Sequence, residues 1–196
     1  MNKHLLKDLI PPVLLRMIRG LLYGWHGHYS SWSEAMKKST GYDSQNILNK
    51  VIASALAVKN GSAVYERDSM LFDHIEYSFP LLSGLLWIAG QNNWKLNVLD
   101  FGGSLGSSYF QNKFFLDTLS ELNWCIVEQP EIVRTGHEYF EDHRLHFFDS
   151  IEECQKAYYI DIVLLSSSLQ YLEEPYKLLE KIILQNPEFI IFDRTP

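Results

Sequence analysis

From Leu96 onward the chain alternates short apolar runs with stretches of helical character, and few folds satisfy that alternation. The runs lie at 96–101, 124–127, 145–148, 160–165 and 189–192, and each is of strand length. The intervals carry helix-like sequence at 107–122, 130–140, 150–156 and 173–184. Strands separated by helices cannot pair as hairpins, so they lie parallel, with the helices as crossovers on the sheet faces. The last helix has a marked start: Pro175 suits a first turn, and Glu173 and Glu174 are acidic residues favoured at a helix N-terminus.

Residues 1–95 read as helices joined by polar turns. Ile47, Val51, Ile52, Ala55 and Leu56 recur at helical spacing within 46–58, and 79–89 is a second, more apolar helix. Asn60-Gly61 is a helix stop, and residues 41–44 are a turn leading into an N-cap. The expected organisation is a helical cap, 1–95, on a sheet domain, 96–196. Within the cap, residues 5–25 are amphipathic and basic, with Lys7, Arg16 and Arg19 among leucines and Lys3 just ahead. Peripheral contact of residues 1–25 with the inner face of a membrane is one reading. The other is a helix docking its leucines on protein, and Pro11-Pro12 interrupts the segment.

Composition excludes several classes. The 196 residues are 46% hydrophobic and 21% charged, which is not the balance of a disordered chain. No apolar run approaches the roughly 20 residues of a spanning helix. A net charge of −7 with no local basic patch argues against nucleic acid as a partner. Cys125 and Cys154 stand far apart with no C-x-x-C pair, and the first 25 residues lack a small-residue cleavage site. A reducing, cytoplasmic setting is expected, without a disulfide framework or metal site.

The chemistry concentrates at residues 98–106. Val98-Leu99-Asp100-Phe101 is a strand running into Gly102-Gly103-Ser104-Leu105-Gly106, a turn that opens the next helix. Glycines there let the backbone turn tightly and approach a ligand, which then meets the free N–H groups of the helix. Tight βα packing alone would also use such a turn. The second signal is Glu128, at the end of the next apolar run and 22 residues past Gly106, where a carboxylate can accept both hydroxyls of a ribose. The spacing is D-x-G-x-x-x-G and not the G-x-G-x-x-G of dinucleotide folds.

In these motifs the chain resembles the class I S-adenosylmethionine-dependent methyltransferases. That resemblance implies a Rossmann-like α/β fold with sheet order 3-2-1-4-5, and S-adenosylmethionine as cofactor. Asp100, Gly102, Gly103, Ser104 and Gly106 would form the cofactor turn, with Ser104 in place of the family's middle glycine, and Glu128 would hold the ribose. Asp149, in Phe147-Phe148-Asp149-Ser150, matches a carboxylate that contacts adenine, and equally suits a helix N-cap. The 161–172 stretch resembles the fourth-strand region, with Ser167, Ser168, Gln170 and Tyr171 facing the reacting methyl. The N/D-P-P-Y motif of base amino-methylation is absent.

A closer resemblance runs through Gly27-His28-Tyr29-Ser30-Ser31-Trp32-Ser33-Glu34-Ala35, Gly41-Tyr42-Asp43, Tyr65-Glu66-Arg67-Asp68, the glycine turn, Val127-Glu128-Gln129-Pro130 and Asp193-Arg194-Thr195-Pro196. These residues are similar to a bacterial methyltransferase family associated with surface-polysaccharide biosynthesis. The resemblance implies O-methylation of a sugar or glycan precursor, and a chain lacking the family's C-terminal part. The alternative is a non-catalytic S-adenosylmethionine-binding or scaffolding member of a polysaccharide assembly system. A nicotinamide-dependent oxidoreductase would need a Tyr/Lys pair or second substrate domain that the sequence does not supply.

Transfer to a hydroxyl needs positioning and removal of a proton. Gln170, Tyr171, Glu66 and Arg67 are the catalytic candidates, the last two on a connection expected to close over the cofactor. Residues 65–68 read equally as a surface ion cluster. His137, His143 and His146 fall in surface and turn territory, away from the glycine turn. Trp87 and Trp124 lie in apolar runs and are expected in the core, while Trp25 and Trp32 remain open as a sugar-stacking platform.

Overall fold

A computed structural model describes residues 11, 13–14, 28–38 and 45–195. The chain forms two units, Met1–Gly41 and Tyr42–Pro196. The basic segment 1–25, the turn at 41–44 and Trp25 lie outside the described residues, except for positions 11, 13 and 14 of that segment.

The first unit contains α1 (Trp32–Lys38). Its start is capped reciprocally: Ser31 Oγ accepts from the Glu34 N–H at 3.2 Å, and Glu34 Oε2 accepts from the N–H and hydroxyl of Ser30 at 3.0 and 2.7 Å.

The second unit begins with α2 (Gln45–Lys59), which stops at Asn60-Gly61 as its sequence requires, with Gly61 at φ 73°. Next comes an element that the helical reading of residues 1–95 missed: β1 (Tyr65–Arg67) and β2 (Met70–Phe72) form an antiparallel hairpin. Strands of three residues are too short for period-2 patterning to show. The two-residue loop, Asp68 and Ser69, has both φ angles positive, as a hairpin turn matching strand twist demands.

Then follow α3 (Phe79–Gln91), β3 (Lys95–Phe101), α4 (Ser107–Leu116), β4 (Glu121–Val127), α5 (Pro130–Tyr139), β5 (Leu145–Phe148), α6 (Ile151–Ala157), β6 (Ile162–Ser166), α7 (Pro175–Leu184) and β7 (Phe189–Asp193). Each of the five apolar runs is a strand. The helix expected over 107–122 ends at Leu116, because Leu122 belongs to β4, where it is buried.

The five strands make one all-parallel sheet in the order β5-β4-β3-β6-β7. Counted within the sheet this is the expected 3-2-1-4-5, a Rossmann-like α/β arrangement. Side-chain alternation sorts the core into two layers. Leu96, Val98, Trp124, Ile126, Ile162 and Leu164 pack with residues of α2, α3, α4 and α5, including Ala55, Leu85, Tyr109 and Val133. Leu99, Cys125, Val127, Val163 and Leu165 pack against Ile151 and Cys154 of α6 and Ile182 of α7. Helices α2 and α3 therefore share a core with the sheet.

Trp124 is completely buried as expected. Trp87 is not: although it falls in the apolar run of α3, its side chain is 60% exposed and meets Phe189 edge-on at the rim. Its position on the helix turns it away from the sheet centre, which Leu85 and Ile88 fill. Among the described residues no helix is long and apolar enough to cross a membrane.

Candidate functional site

The chain builds β3, β4 and β5 outward in one direction and then returns to place β6 on the other side of β3. At such a reversal the loops leaving the two central strands diverge and open a crevice at the strand carboxyl ends. The glycine turn leaves β3 on one side of it, and residues 167–171 leave β6 on the other.

The two sides touch. A Cβ built on Gly102 would lie 2.9 Å from Ser168 Cβ, and Gly102 also has φ 73°, so no other residue fits there without displacement. Gly103 needs its missing Cβ for a different reason: one placed there would stand 2.5 Å from Asp100 Oδ2. The carboxyl of Asp100, the last buried position of β3, thus lies directly against the turn. Gly106, at φ 98°, delivers the chain into α4. Ser104, in the place of the middle glycine, itself adopts φ 54°.

Glu128 follows β4. Its Oε1 accepts from the Ser104 N–H at 3.2 Å and its Oε2 from the Gln129 N–H at 2.8 Å, so the turn and the acid predicted to act with it are directly bonded. An ionised carboxylate has about four acceptor positions, and two remain. Burial raises the pKa of Glu128 above the usual carboxylate range, against the two N–H bonds.

Three buried polar atoms around this crevice lack a hydrogen-bond partner among the described residues: Asp100 Oδ1, Ser168 Oγ and Gln170 Oε1. Gln170 spends its amide N–H on Ser167 Oγ at 2.8 Å, which leaves its carbonyl oxygen unpaired. Ser167 is held at φ 57°, its N–H bonded to Asp193 O at 2.9 Å. Orphaned buried groups are uncommon in folded chains and cost stability unless something completes them.

Glu66 reaches the crevice from β1. It is 6% exposed and accepts from Ser107, the first residue of α4. Burial raises its pKa, opposed by the Ser107 hydroxyl and the Ser69 N–H. Its neighbour Arg67 is directed elsewhere, 3.6 Å from Glu76 and over the Phe72 ring at 5.4 Å. Tyr171, closing the short 3₁₀ turn Leu169–Tyr171, is half exposed. Asp149 is exposed at the end of β5, and the cap of α6 is instead Ser150, whose hydroxyl accepts from the Glu153 N–H at 3.2 Å. The capping alternative for Asp149 is therefore taken by its neighbour.

The sequence reading missed a polar cluster at the ends of β6 and β7. Asp193 accepts from Ser78 Oγ and Ser166 Oγ, both at 2.9 Å, and from Arg194 Nε at 3.1 Å. Arg194 also donates to Ser166 Oγ at 2.9 Å. Two isolated serines 88 residues apart carry no signal in sequence. The strand-end position of Asp193 does, since Asp100 and Glu128 also lie at or just past strand ends.

His137 and His146 have partners outside this constellation. His137 pairs with Glu141 at 2.8 Å, and His146 stacks on Tyr158 with ring centroids 4.9 Å apart. No group of three or more His, Cys, Asp or Glu residues is arranged to hold a metal ion among the described residues.

No family model matches the chain. No curated protein does either. Among solved structures, a complex between the Haloferax volcanii Trm112 methyltransferase activator and a protein designated a methyltransferase is similar over 53% of this chain, with 18% identity and a TM-score of 0.34. The chain spans 50% of that neighbour, and a likeness of that degree carries no weight for function.

Proposed function

We propose that the chain is an S-adenosylmethionine-dependent methyltransferase. The observation that supports it best is the Glu128 carboxylate, fixed by the N–H groups of Ser104 and Gln129 beside the glycine turn with two acceptor positions left over. That is the arrangement a ribose diol requires. The turn also leaves room for such a ligand: Gly102 and Gly103 keep it free of side chains, and unpaired polar atoms of Asp100, Ser168 and Gln170 lie buried around it.

When bound, the cofactor supplies an electrophilic methyl group for in-line displacement. The protein's own share is placement. The rigid strand ends hold Asp100, Glu128 and Ser168 in fixed positions, and the strained Ser104 and Ser167 backbones aim the two loops. Gln170 and Tyr171, on the β6 side, would line the acceptor's approach. Asp149, exposed at the neighbouring strand end, would meet the adenine edge. The sequence resemblance supports a sugar or glycan precursor as acceptor.

Titration calorimetry with S-adenosylhomocysteine tests the cofactor. Binding by the folded protein that falls at least tenfold in Glu128→Ala supports the reading, at the roughly 1.4 kcal/mol that tenfold represents. No binding by the folded protein overturns it. Methyl transfer to a panel of nucleotide sugars then tests the acceptor.

A further inference from the structure

Glycine turns of this kind commonly present the N–H groups of the following helix to phosphate. In this chain a carboxylate already stands beside that helix end. Glu66, in β1 and 41 residues upstream, accepts a hydrogen bond from the Ser107 hydroxyl in the first turn of α4, a ten-residue helix. The hairpin is held to this arrangement by its own tight loop and by the burial of Tyr65 and Glu66 against the unit's core. The adjoining turn is acidic as well, with Asp100 beneath Gly103 and Glu128 on the Ser104 N–H. Arg194, the cation at the nearby end of β7, is bonded to Asp193. Independently of the helix end, two groups more than nine-tenths buried abut the turn without partners, Asp100 Oδ1 and Ser168 Oγ.

We propose that Glu66 is a specificity-determining residue: its carboxylate closes the α4 N-terminus to phosphate and favours a nucleoside whose tail carries an amine. The inference deepens the cofactor reading above and rests on it. A carboxylate in the phosphate position repels an anionic tail and attracts an ammonium, so a single side chain works in both directions. Ser107 orients that carboxylate without carrying charge.

Calorimetry would use the wild-type chain, Glu66→Gln, Glu66→Asp and Ser107→Ala with three ligands: S-adenosylhomocysteine, 5′-methylthioadenosine, which keeps the nucleoside but lacks the whole amino-acid tail with its ammonium and carboxylate, and ADP. The wild type is expected to prefer S-adenosylhomocysteine to 5′-methylthioadenosine and to refuse ADP. In Glu66→Gln the preference narrows by about tenfold and ADP binding appears, as expected when a like-charge contact is removed. Ser107→Ala and Glu66→Asp retain the charge and keep the discrimination, which a merely structural role for Glu66 would not preserve. Wild-type protein that binds ADP as well as S-adenosylhomocysteine overturns the inference without any variant, and so does a Glu66→Gln protein with unchanged ratios. Wild-type protein that binds none of the three overturns the cofactor reading itself.

Discussion

The indole N–H of Trp124 donates to Asp100 Oδ2 at 3.1 Å across adjacent strands, and both side chains are fully buried. A carboxylate in this position has lost its water and gained one neutral donor. Burial therefore pushes its pKa from 3.8 up to about 7, the Trp124 bond only partly opposing this and the Glu128 charge adding to it.

That shift fixes the sign of a pH effect. Between about pH 4 and 7 the folded chain holds a proton on Asp100 that the unfolded chain has released, so stability falls as pH rises through that window and levels off above it. Glu66 and Glu128, both raised by burial, act in the same sense. Asp100→Asn keeps an acceptor for Trp124 and removes the charge. Urea midpoints should then vary less from pH 4 to 7, and the variant should exceed the wild type at pH 8; a wild type more stable at pH 8 than at pH 5 would contradict this.

Two helical glycines are expected to respond oppositely to alanine. Nothing lies within 4 Å of a Cβ on Gly90, so Gly90→Ala gains helix propensity and should stabilise by about 0.5–1 kcal/mol. On Gly136 the same atom would stand 2.3 Å from the Phe147 ring, where α5 packs on β5. Gly136→Ala forces the two elements apart and should destabilise by about 1–3 kcal/mol. Chemical denaturation of both variants reads the difference, and equal shifts would refute the packing argument.

Ser104 occupies a backbone conformation that costs an L-residue roughly 1 kcal/mol and costs glycine almost nothing. Its contribution to the site is its N–H, bonded to Glu128, which glycine retains. Ser104→Gly should raise stability by about 0.5–1 kcal/mol and leave S-adenosylhomocysteine affinity within about threefold. A large loss of affinity would mean that the hydroxyl, and not the backbone, serves the ligand.

The parts of this molecule that were legible in sequence are those governed by local pattern. The five apolar runs became the five strands because each is ended by glycine, acidic residues or serines, and the glycine turn with Glu128 was readable because both lie at strand ends. The β1–β2 hairpin was not readable, since three-residue strands have no period to detect and their pairing is decided by Asp68-Ser69. The exposure of Trp87 was hidden by the apolar run around it. Contacts between distant residues, Glu66 with Ser107 and Ser78 with Asp193, depend on the packed fold and leave no trace in any window of sequence.

Asp193 ties a piece of chain outside the sheet to the ends of its last two strands. Its carboxylate accepts from Ser78, just ahead of α3, from Ser166 at the end of β6, and from Arg194, which is held at φ 50°. Hydrogen bonds to a charged acceptor contribute about 1.5–3 kcal/mol each, and removing the acceptor leaves its donors short of partners. Asp193→Ala should therefore destabilise by about 2–4 kcal/mol, whereas Asp193→Asn, which keeps one acceptor oxygen, should cost about half as much. The loss should also be local. β7 borders the sheet on one side only, through β6, so amide exchange should accelerate at Phe192 and Ser167 well before the central strands β3 and β4 lose protection. Uniform acceleration across all five strands would show that Asp193 supports global stability alone and does not pin the end of the edge strand.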